Sequence, residues 1–342
     1  MPGLGAWVVL GREPRARLLS PRFIPRVSSS VWRRHPFVVV DLTYAETPMT
    51  EQVKKTIAVI GATGAQGGGV VRALQEQGNF KVRALTRNPS KATGLADEVF
   101  AADLTRPETL SSAFDGAYGV FANTNSFAGP DVDEVAQGTV AVEAAKAAGV
   151  EHYIWSTLPN VADISSEAFN VPHFTNKAKV DAVVESAGFE WFTFVEPPFY
   201  YQNLTGPLYV PQPGSDGTPT WSQPMRPDAR GIHIGDISEL GNVVAGAFEH
   251  PDEVGQGQHL SLAGDLMSWN DIVETLKNQG HNLAYSQVPD DPWGIREMFA
   301  YFEAHTYFGP DADTKIALAK AVSTKPFTDF AAWAKTNMPA PA

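Results

Sequence analysis

Two hydroxyl side chains and a histidine–lysine pair are the residues of this chain best suited to moving protons. Ser156 and Thr157 end an apolar, aromatic segment that predicts a strand. His173 and Lys177 are four residues apart, where a helix is predicted over about 174–187, so both can face the same crevice. An imidazolium can donate a proton near neutral pH, but an ammonium close to it would lower its pKa and keep it neutral. The alternative for His173 is an ordinary residue at the start of a helix.

A glycine-rich turn joins the first predicted strand to the first predicted helix, and residues 61–67 read GATGAQG. Gly61 allows a sharp turn at the strand end, and Gly64 removes a Cβ where a pyrophosphate would meet the backbone. Gly67 lets the helix pack closely on the sheet. The free N–H groups of the first helical turn would then face phosphates. The three-residue glycine spacing is typical of short-chain dehydrogenases and predicts nucleotide binding, with a ligand-free glycine loop as the alternative.

The second strand is predicted at residues 80–86, and two basic side chains follow it. Arg87 stands about where folds that prefer NAD place an acidic residue for the ribose 2′-OH, and Lys91 follows four residues later. A 2′-phosphate carries close to two negative charges, which a guanidinium fork matches well. The position of these residues therefore favours NADP(H) over NAD(H). The alternative is a solvated pair of surface residues.

Polar residues also follow the third and fourth predicted strands. Asp103 ends the third strand, where its carboxylate can accept from the adenine amino group or cap a helix predicted over 107–114. Residues 123–126, NTNS, follow the fourth strand. Because the carboxyl ends of the strands line the ligand crevice of an open α/β sheet, this tetrad is predicted to face the cofactor.

Strands that alternate with helices after residue 52 predict an α/β fold. We expect a Rossmann-like doubly wound parallel sheet with a smaller α+β C-terminal substrate lobe. Residues 53–200 are assigned to the NADP-binding domain, with the sheet completed by later segments, and residues 201–338 to the lobe. Residues 205–230 are rich in Pro, Gly, Ser and Thr and predict a long loop over the crevice. The aromatic residues of 299–308 are predicted to form core or to line a pocket.

The first 52 residues differ from the rest and are left out of the predicted fold as an extension, leader or disordered segment. Residues 1–48 contain seven arginines, no lysine and three acids, which is typical of an organellar transit peptide. Prolines among them would break an amphipathic helix. A genuine leader and an upstream extension, with Met49 as the functional start, both stay open.

Composition and charge exclude several kinds of site and partner. The chain has no cysteine, which excludes disulfides, thiolate metal sites and a cysteine nucleophile, and fits a reducing compartment. A formal charge of −12 argues against direct nucleic-acid binding, which needs a basic face. The sequence has no run of about 18 apolar residues, so no membrane span is predicted, and no metal site is predicted. We expect a cytoplasmic protein, with organellar import as the alternative if the leader is genuine.

Seven segments together resemble the NmrA-like family of atypical short-chain dehydrogenases, named after a fungal nitrogen-repression regulator, over about residues 55–335. They are GATGAQG (61–67), TRNPSK (86–91), ADL (102–104), GVF (119–121), EVAQG (134–138), HFTNK (173–177) and EPPFYYQNL (196–204). The resemblance implies that NADP(H) is held by Gly61, Ala62, Thr63, Gly64, Ala65, Gln66, Gly67, Arg87, Lys91, Asp103, Leu104, Thr124, Asn125, Ser126, Lys177, Tyr200, Tyr201, Gln202 and Asn203.

The same resemblance implies roles for the proton-moving residues. Short-chain dehydrogenases that reduce carbonyls use a serine after the fifth strand and a Y-x-x-x-K helix, in which the lysine lowers the pKa of the tyrosine that protonates the carbonyl oxygen. Ser156 or Thr157 can take the serine position and Lys177 the lysine position. His173 stands where the tyrosine would be. These four are the catalytic candidates.

Two functions of different classes follow from this set. The first is an NADP(H)-dependent oxidoreductase that reduces a small hydrophobic or aromatic carbonyl, enone or quinone, since the hydroxyls and the lysine are retained beside an aromatic lobe. The second is a non-catalytic NADP(H) redox sensor or transcriptional regulator that acts through protein partners, since the tyrosine is replaced. A regulator would also be expected in the nucleus.

Overall fold

The computed structural model describes residues 53–129, 132–289 and 295–340, so the predictions for residues 1–52 lie outside the described residues. The elements of the first half are β1 (Thr56–Ile60), α1 (Ala65–Gln77), β2 (Lys81–Thr86), β3 (Glu98–Ala101), α2 (Leu110–Phe114), β4 (Gly119–Ala122), α3 (Glu134–Ala147), β5 (His152–Ser156), α4 (Val161–Ile164), α5 (Pro172–Ser186) and β6 (Trp191–Glu196). Those of the second half are β7 (Phe199–Tyr200), β8 (Gln212–Pro213), β9 (Pro219–Gln223), β10 (Ile232–Gly235), α6 (Leu240–Glu249), α7 (Pro251–Val254), β11 (Gln256–Ser261), β12 (Asp265–Met267), α8 (Trp269–Asn278), β13 (Ala284–Gln287), α9 (Arg296–His305), α10 (Ala312–Val322) and α11 (Phe330–Asn337).

Seven strands form the central sheet, in the order β11-β6-β5-β4-β1-β2-β3. Every neighbouring pair in it is parallel. The chain winds outward from β1 in one direction through β2 and β3, and in the other through β4, β5 and β6. The carboxyl ends of β1 and β4 therefore flank the crevice where such a sheet binds its ligand. The predicted Rossmann-like, doubly wound fold is confirmed.

Both faces of the sheet are covered, as the nearly continuous apolar strands require. Along β1, Ile57 and Val59 face a core shared with α1, α6 and α10. Ala58 and Ile60 face a second core shared with α2, α3 and α5. The helices that follow the strands thus hold each strand end, and the polar residue after it, in a fixed position.

The C-terminal part carries two further sheets of three strands, β12-β10-β7 and β13-β9-β8. A third core, rich in aromatic side chains, lies between them and α8, α9 and α11. The aromatic residues of α9 and of the segment after it, predicted as core or pocket lining, are buried in this core, and Trp333 of α11 is packed there too.

The prediction of a long loop over residues 205–230 is wrong, because β8 and β9 lie within it. Thr220 of β9 pairs with Ala284 of β13, and Trp221 is buried against Trp269. β9 also pairs with β8, in an antiparallel hairpin. A composition typical of loops revealed neither this local pairing nor the one with β13, which comes more than sixty residues later.

Candidate functional site

The turn between β1 and α1 has the backbone geometry that phosphate binding requires. Gly61 has a φ of +68°, which favours glycine. A Cβ on Gly67 would lie 2.3 Å from the Gly61 carbonyl oxygen, so the helix can approach the strand only with glycine there. The first turn of α1 has no acidic residue and no side-chain cap. Its N–H groups and the positive end of the helix dipole are thus available to an anion.

A cavity of about 370 Å³ opens directly over this turn. Its lining residues are Ala62, Thr63, Gly64, Gly68, Arg72, Lys91, Ala92, Thr93, Gly94 and Leu95. Two of them, Arg72 and Lys91, are cations, and no acid lines the cavity. A cavity with free N–H groups at its base and cations at its wall fits the phosphates of a dinucleotide.

Arg87 and Asp103 lie close together beyond the ends of β2 and β3. The Asp103 carboxylate accepts from the backbone N–H and the hydroxyl of Thr105, at 3.0 and 2.8 Å. These two hydrogen bonds, with Arg87 as a weaker contributor, lower the pKa of Asp103. Asp103 does not cap the following helical segment, whose N-cap is Arg106. Leu104 is partly buried beside it.

A buried chain of hydrogen bonds joins the glycine turn to two strand ends. The Ser156 hydroxyl, at the end of β5, donates to Gln66 Oε1 at 2.7 Å. The Gln66 amide Nε2 then donates to the Tyr200 hydroxyl, at the end of β7, at 2.9 Å. Burial raises the pKa of Tyr200, and the hydrogen bond from Gln66 opposes that rise. Tyr200 therefore keeps its proton at neutral pH.

Lys177, on α5, points its ammonium at three acceptors beside the end of β4. They are the Thr124 carbonyl oxygen at 2.9 Å, the Thr124 hydroxyl at 3.1 Å and Glu134 Oε1 at 3.2 Å. The Thr124 hydroxyl donates in turn to Glu134 Oε1 at 2.8 Å. Burial lowers the pKa of Lys177, and Glu134 opposes that shift. The other carboxylate oxygen of Glu134, Oε2, is buried without a hydrogen-bond partner among the described residues.

His173 sits at the start of α5 between two aromatic rings. Its ring lies 5.4 Å from that of Phe127 and 5.0 Å from that of Phe174. Burial lowers its pKa to about 4, Glu134 opposes the shift and Lys177 adds to it. The imidazole is thus neutral at physiological pH, as expected, but burial contributes more than the lysine. Phe127 is 79% exposed.

The remaining residues after β4 have local partners, whereas Thr157, after β5, pairs with β6. The Asn125 side chain accepts from the Phe127 N–H at 3.0 Å, and Ser126 begins a short 3-10 turn. Thr157 is fully buried, and its N–H donates to the Val195 carbonyl oxygen at 2.9 Å. Thr157 is therefore less accessible to a substrate than the Ser156–Gln66–Tyr200 chain.

The three predicted cofactor ligands that follow Tyr200 in sequence have other partners. Tyr201 is fully buried, and its hydroxyl lies 3.1 Å from both Asp265 Oδ2 and the Thr328 carbonyl oxygen. Gln202 donates to Asp236 at 2.6 Å and Asn203 lies in a 3-10 turn. The structure does not bring Tyr201 to the crevice.

Three residues of the site were not assigned roles from the sequence. Glu134 lies in one of the segments that resemble the NmrA-like family. It was given no role because an acid is common in the first turn of a helix. Arg72 follows Gly68 by one helical turn, and this spacing is the signal that places its guanidinium near the glycine turn. Nothing in the sequence pointed to Phe127.

Over the described residues, no helix is long and apolar enough to cross a membrane. The same residues contain no group of three or more His, Asp or Glu side chains suited to hold a metal ion.

Curated relatives of the chain include both oxidoreductases and a regulator. It is 29% identical over 309 residues to the NmrA-like family domain-containing oxidoreductase FrzB of Cladobotryum sp., covering 78% of this chain and 91% of FrzB. It is 29% identical over 272 residues to the nitrogen metabolite repression protein NmrA of Emericella nidulans, covering 74% of this chain and 75% of that protein.

Among solved structures, the fold is similar to that of NmrA, a negative transcriptional regulator crystallised with NAD and with NADP. The TM-scores are 0.71 and 0.70, at 25% identity, and the alignments cover 84% of this chain and 96% of NmrA. The model of the NmrA-like family matches residues 53–334. The chain therefore belongs to the NmrA-like family.

Proposed function

We propose that this chain is an NADP(H)-dependent oxidoreductase that reduces a small hydrophobic or aromatic carbonyl, enone or quinone. The observation that carries the proposal is the Ser156–Gln66 hydrogen bond of 2.7 Å. It puts a strand-end hydroxyl in contact with Gln66, in the first turn of the helix that follows the glycine turn. When bound, the reduced cofactor supplies a hydride. The chain itself supplies polar, hydrogen-bonding side chains near the oxygen that receives the new charge.

The cofactor is proposed to be NADP(H) because the cations of the site gather near the glycine turn. Lys91 and Arg72 line the cavity over that turn, and Arg87 is exposed at the end of β2. Arg87→Ala and Lys91→Ala should each weaken NADPH binding by about 1.5–3 kcal/mol, the usual range for a charge-assisted hydrogen bond. NADH binding should change little.

Titration of both variants with NADPH and NADH by nucleotide fluorescence checks this preference. Lys335→Ala, a basic residue on α11 outside the cavity, is the control and should bind both cofactors like the wild type. An equal loss for NADPH and NADH would remove the assignment of these residues to the 2′-phosphate.

The reaction itself is tested by oxidation of NADPH, followed at 340 nm, with a panel of ketones, aldehydes, enones and quinones. We expect turnover with at least one planar or hydrophobic member. Wild-type protein that binds NADPH but reduces no member would overturn the enzymatic proposal.

One observation favours the second function, a non-catalytic NADP(H) sensor. The three N–H groups of Lys177 already face three acceptors, on Thr124 and Glu134, which leaves no hydrogen for a proton path. A sensor would bind NADPH without turnover and change its affinity for a protein partner with the oxidation state of the cofactor. The same panel separates the two functions.

A further inference from the structure

We propose that Tyr200 is the proton donor of the reaction, in the place of the tyrosine that the α5 helix lacks. The inference rests on the proposed reductase function and adds to it the identity of the acid.

The geometry of the hydrogen-bond chain supports this assignment. Tyr200 accepts from Gln66 Nε2 at 2.9 Å, and among the described residues no acceptor takes its own hydrogen. Ser156 donates to Gln66 Oε1 at 2.7 Å, which turns the amide N–H₂ toward Tyr200. The phenol therefore has one hydrogen free to donate and one donor already aimed at its oxygen.

That arrangement suits an acid that must give up a proton and hold the resulting charge. The substrate carbon gains the hydride, the C=O π electrons move to the oxygen, and that oxygen bonds the proton that leaves Tyr200. The Gln66 N–H then stabilises the tyrosinate, because a hydrogen bond to a charged acceptor is stronger than one to a neutral acceptor. Water returns a proton to Tyr200 after the product leaves.

His173 is a poorer donor than Tyr200. Its imidazole packs against the rings of Phe127 and Phe174 and is neutral at physiological pH. It makes no hydrogen bond to Ser156, Gln66 or Tyr200. Lys177, the other candidate, directs its N–H groups to Thr124 and Glu134.

The test compares Tyr200→Phe with Tyr153→Phe. Tyr153 is a matched control because it lies on β5, is fully buried and has a hydroxyl without a partner among the described residues. In Tyr200→Phe we expect kcat to fall about 10²–10⁴-fold, the usual contribution of a general acid. Tyr153→Phe should lower kcat less than about tenfold.

Two binding measurements separate an acid from a cofactor ligand. NADPH affinity, followed by nucleotide fluorescence, should change less than about twofold in Tyr200→Phe. The affinity of a reducible ketone for the NADP⁺-loaded protein should fall about 3- to 10-fold, as the loss of one hydrogen bond predicts.

The outcomes separate a failure of the Tyr200 assignment from a failure of the proposed reductase function. A Tyr200→Phe protein that reduces the substrate within about threefold of wild type overturns the assignment and leaves the reductase function standing. An equal loss of NADPH affinity and kcat makes Tyr200 a cofactor ligand, which also overturns it. Wild-type protein that binds NADPH but reduces nothing overturns the reductase function and, with it, the acid.

Discussion

At the scale of single residues, Glu134 and Lys177 form a buried ion pair in the candidate site. The side chain of Glu134 is 1% exposed and that of Lys177 is 8% exposed. Two opposite charges so deeply buried stabilise one another, yet each would be costly to bury alone. The pair therefore adds no net charge to the site beside the end of β4.

We expect Glu134→Gln and Lys177→Met each to lower the free energy of unfolding by about 3–5 kcal/mol, since each leaves an unpaired buried charge. The double variant should lie closer to wild type than either single variant. Urea unfolding, analysed as a double-mutant cycle, measures this coupling. Glu143→Gln, on an exposed position of the same helix, is the control and should stay within about 0.5 kcal/mol of wild type. Additive single effects would contradict the pairing.

The sequence predicted those residues of the candidate site that belong to short local patterns, but not the contacts between distant segments. Gly61, Lys91 and Lys177 follow from local pattern, because each belongs to a short segment whose spacing fixes its place. The Ser156–Gln66 bond spans 90 positions of sequence and the Gln66–Tyr200 bond spans 134. No local pattern encodes such contacts, so their partners became visible only in the folded chain.

At the scale of elements, helix α5 presents three ionisable residues along one side. His173, Lys177 and Asp181 are spaced by four residues, which stacks them on one helical face. Burial raises the pKa of Asp181 to about 7, and a hydrogen bond with Thr157 opposes the rise. Its Oδ1 atom is buried without a partner among the described residues.

This pKa predicts a pH-dependent stability. An unfolded aspartate ionises near 3.8, whereas the folded protein holds the proton up to about pH 7. The free energy of unfolding is therefore highest with respect to Asp181 below about pH 4, where the residue is protonated in both states. It falls as the pH rises toward 7, because the folded protein must then hold a buried charge. Asp181→Asn keeps the neutral form, so it should be more stable than wild type by about 2–4 kcal/mol at pH 8.

Chemical unfolding at pH 4 and at pH 8 checks this expectation. The gain of Asp181→Asn should disappear at pH 4. Asp252→Asn, on an exposed position of α7, should give no gain at either pH. A gain of equal size at both pH values would show that the effect is not ionisation.

Helices and strands were predictable from the sequence where the residues that define them lie close together along the chain. Ser268 caps α8: its hydroxyl accepts from the Asp271 N–H, and the Asp271 carboxylate accepts from the Ser268 N–H. Such a cap is a local signal, because the two residues lie three positions apart. Within residues 205–230, β8 and β9 pair locally, but their Pro- and Gly-rich composition hid both strands. The second partner of β9, β13, lies far along the chain and has no local signal.

At the scale of the whole molecule, a buried ion network joins the central sheet to the C-terminal helices. Glu196, at the end of β6, pairs with Lys315 of α10 at 2.9 Å and with His259 of β11 at 3.0 Å. Burial opposes ionisation of Glu196, but His259 and Lys315 lower its pKa to about 2. The sheet and the helix that covers it are therefore held together by charge as well as by apolar packing.

The N-terminal 48 residues are predicted to contribute nothing to this assembly. Among the described residues, the first strand begins at Thr56, and the glycine turn comes after it. A chain that begins at Met49 should therefore have a melting temperature within about 2 °C of the full chain, since surface changes rarely exceed about 0.5 kcal/mol. Calorimetry and NADPH titration of both chains measure this. A lower melting temperature or weaker binding in the shorter chain would mean that the extension is part of the fold.

The pairing of β7 has a consequence for how this architecture can be altered. Tyr200 lies on β7, which pairs with β10 in the second sheet rather than with any strand of the central one. Gln66 lies on α1 and Ser156 on β5 of the central sheet. A chimera that takes the residues after Glu196 from another family member would therefore replace β7 together with β11, α6 and α10, which complete and cover the central sheet. The hydrogen bond from Gln66 to Tyr200 would then join residues from two different parents.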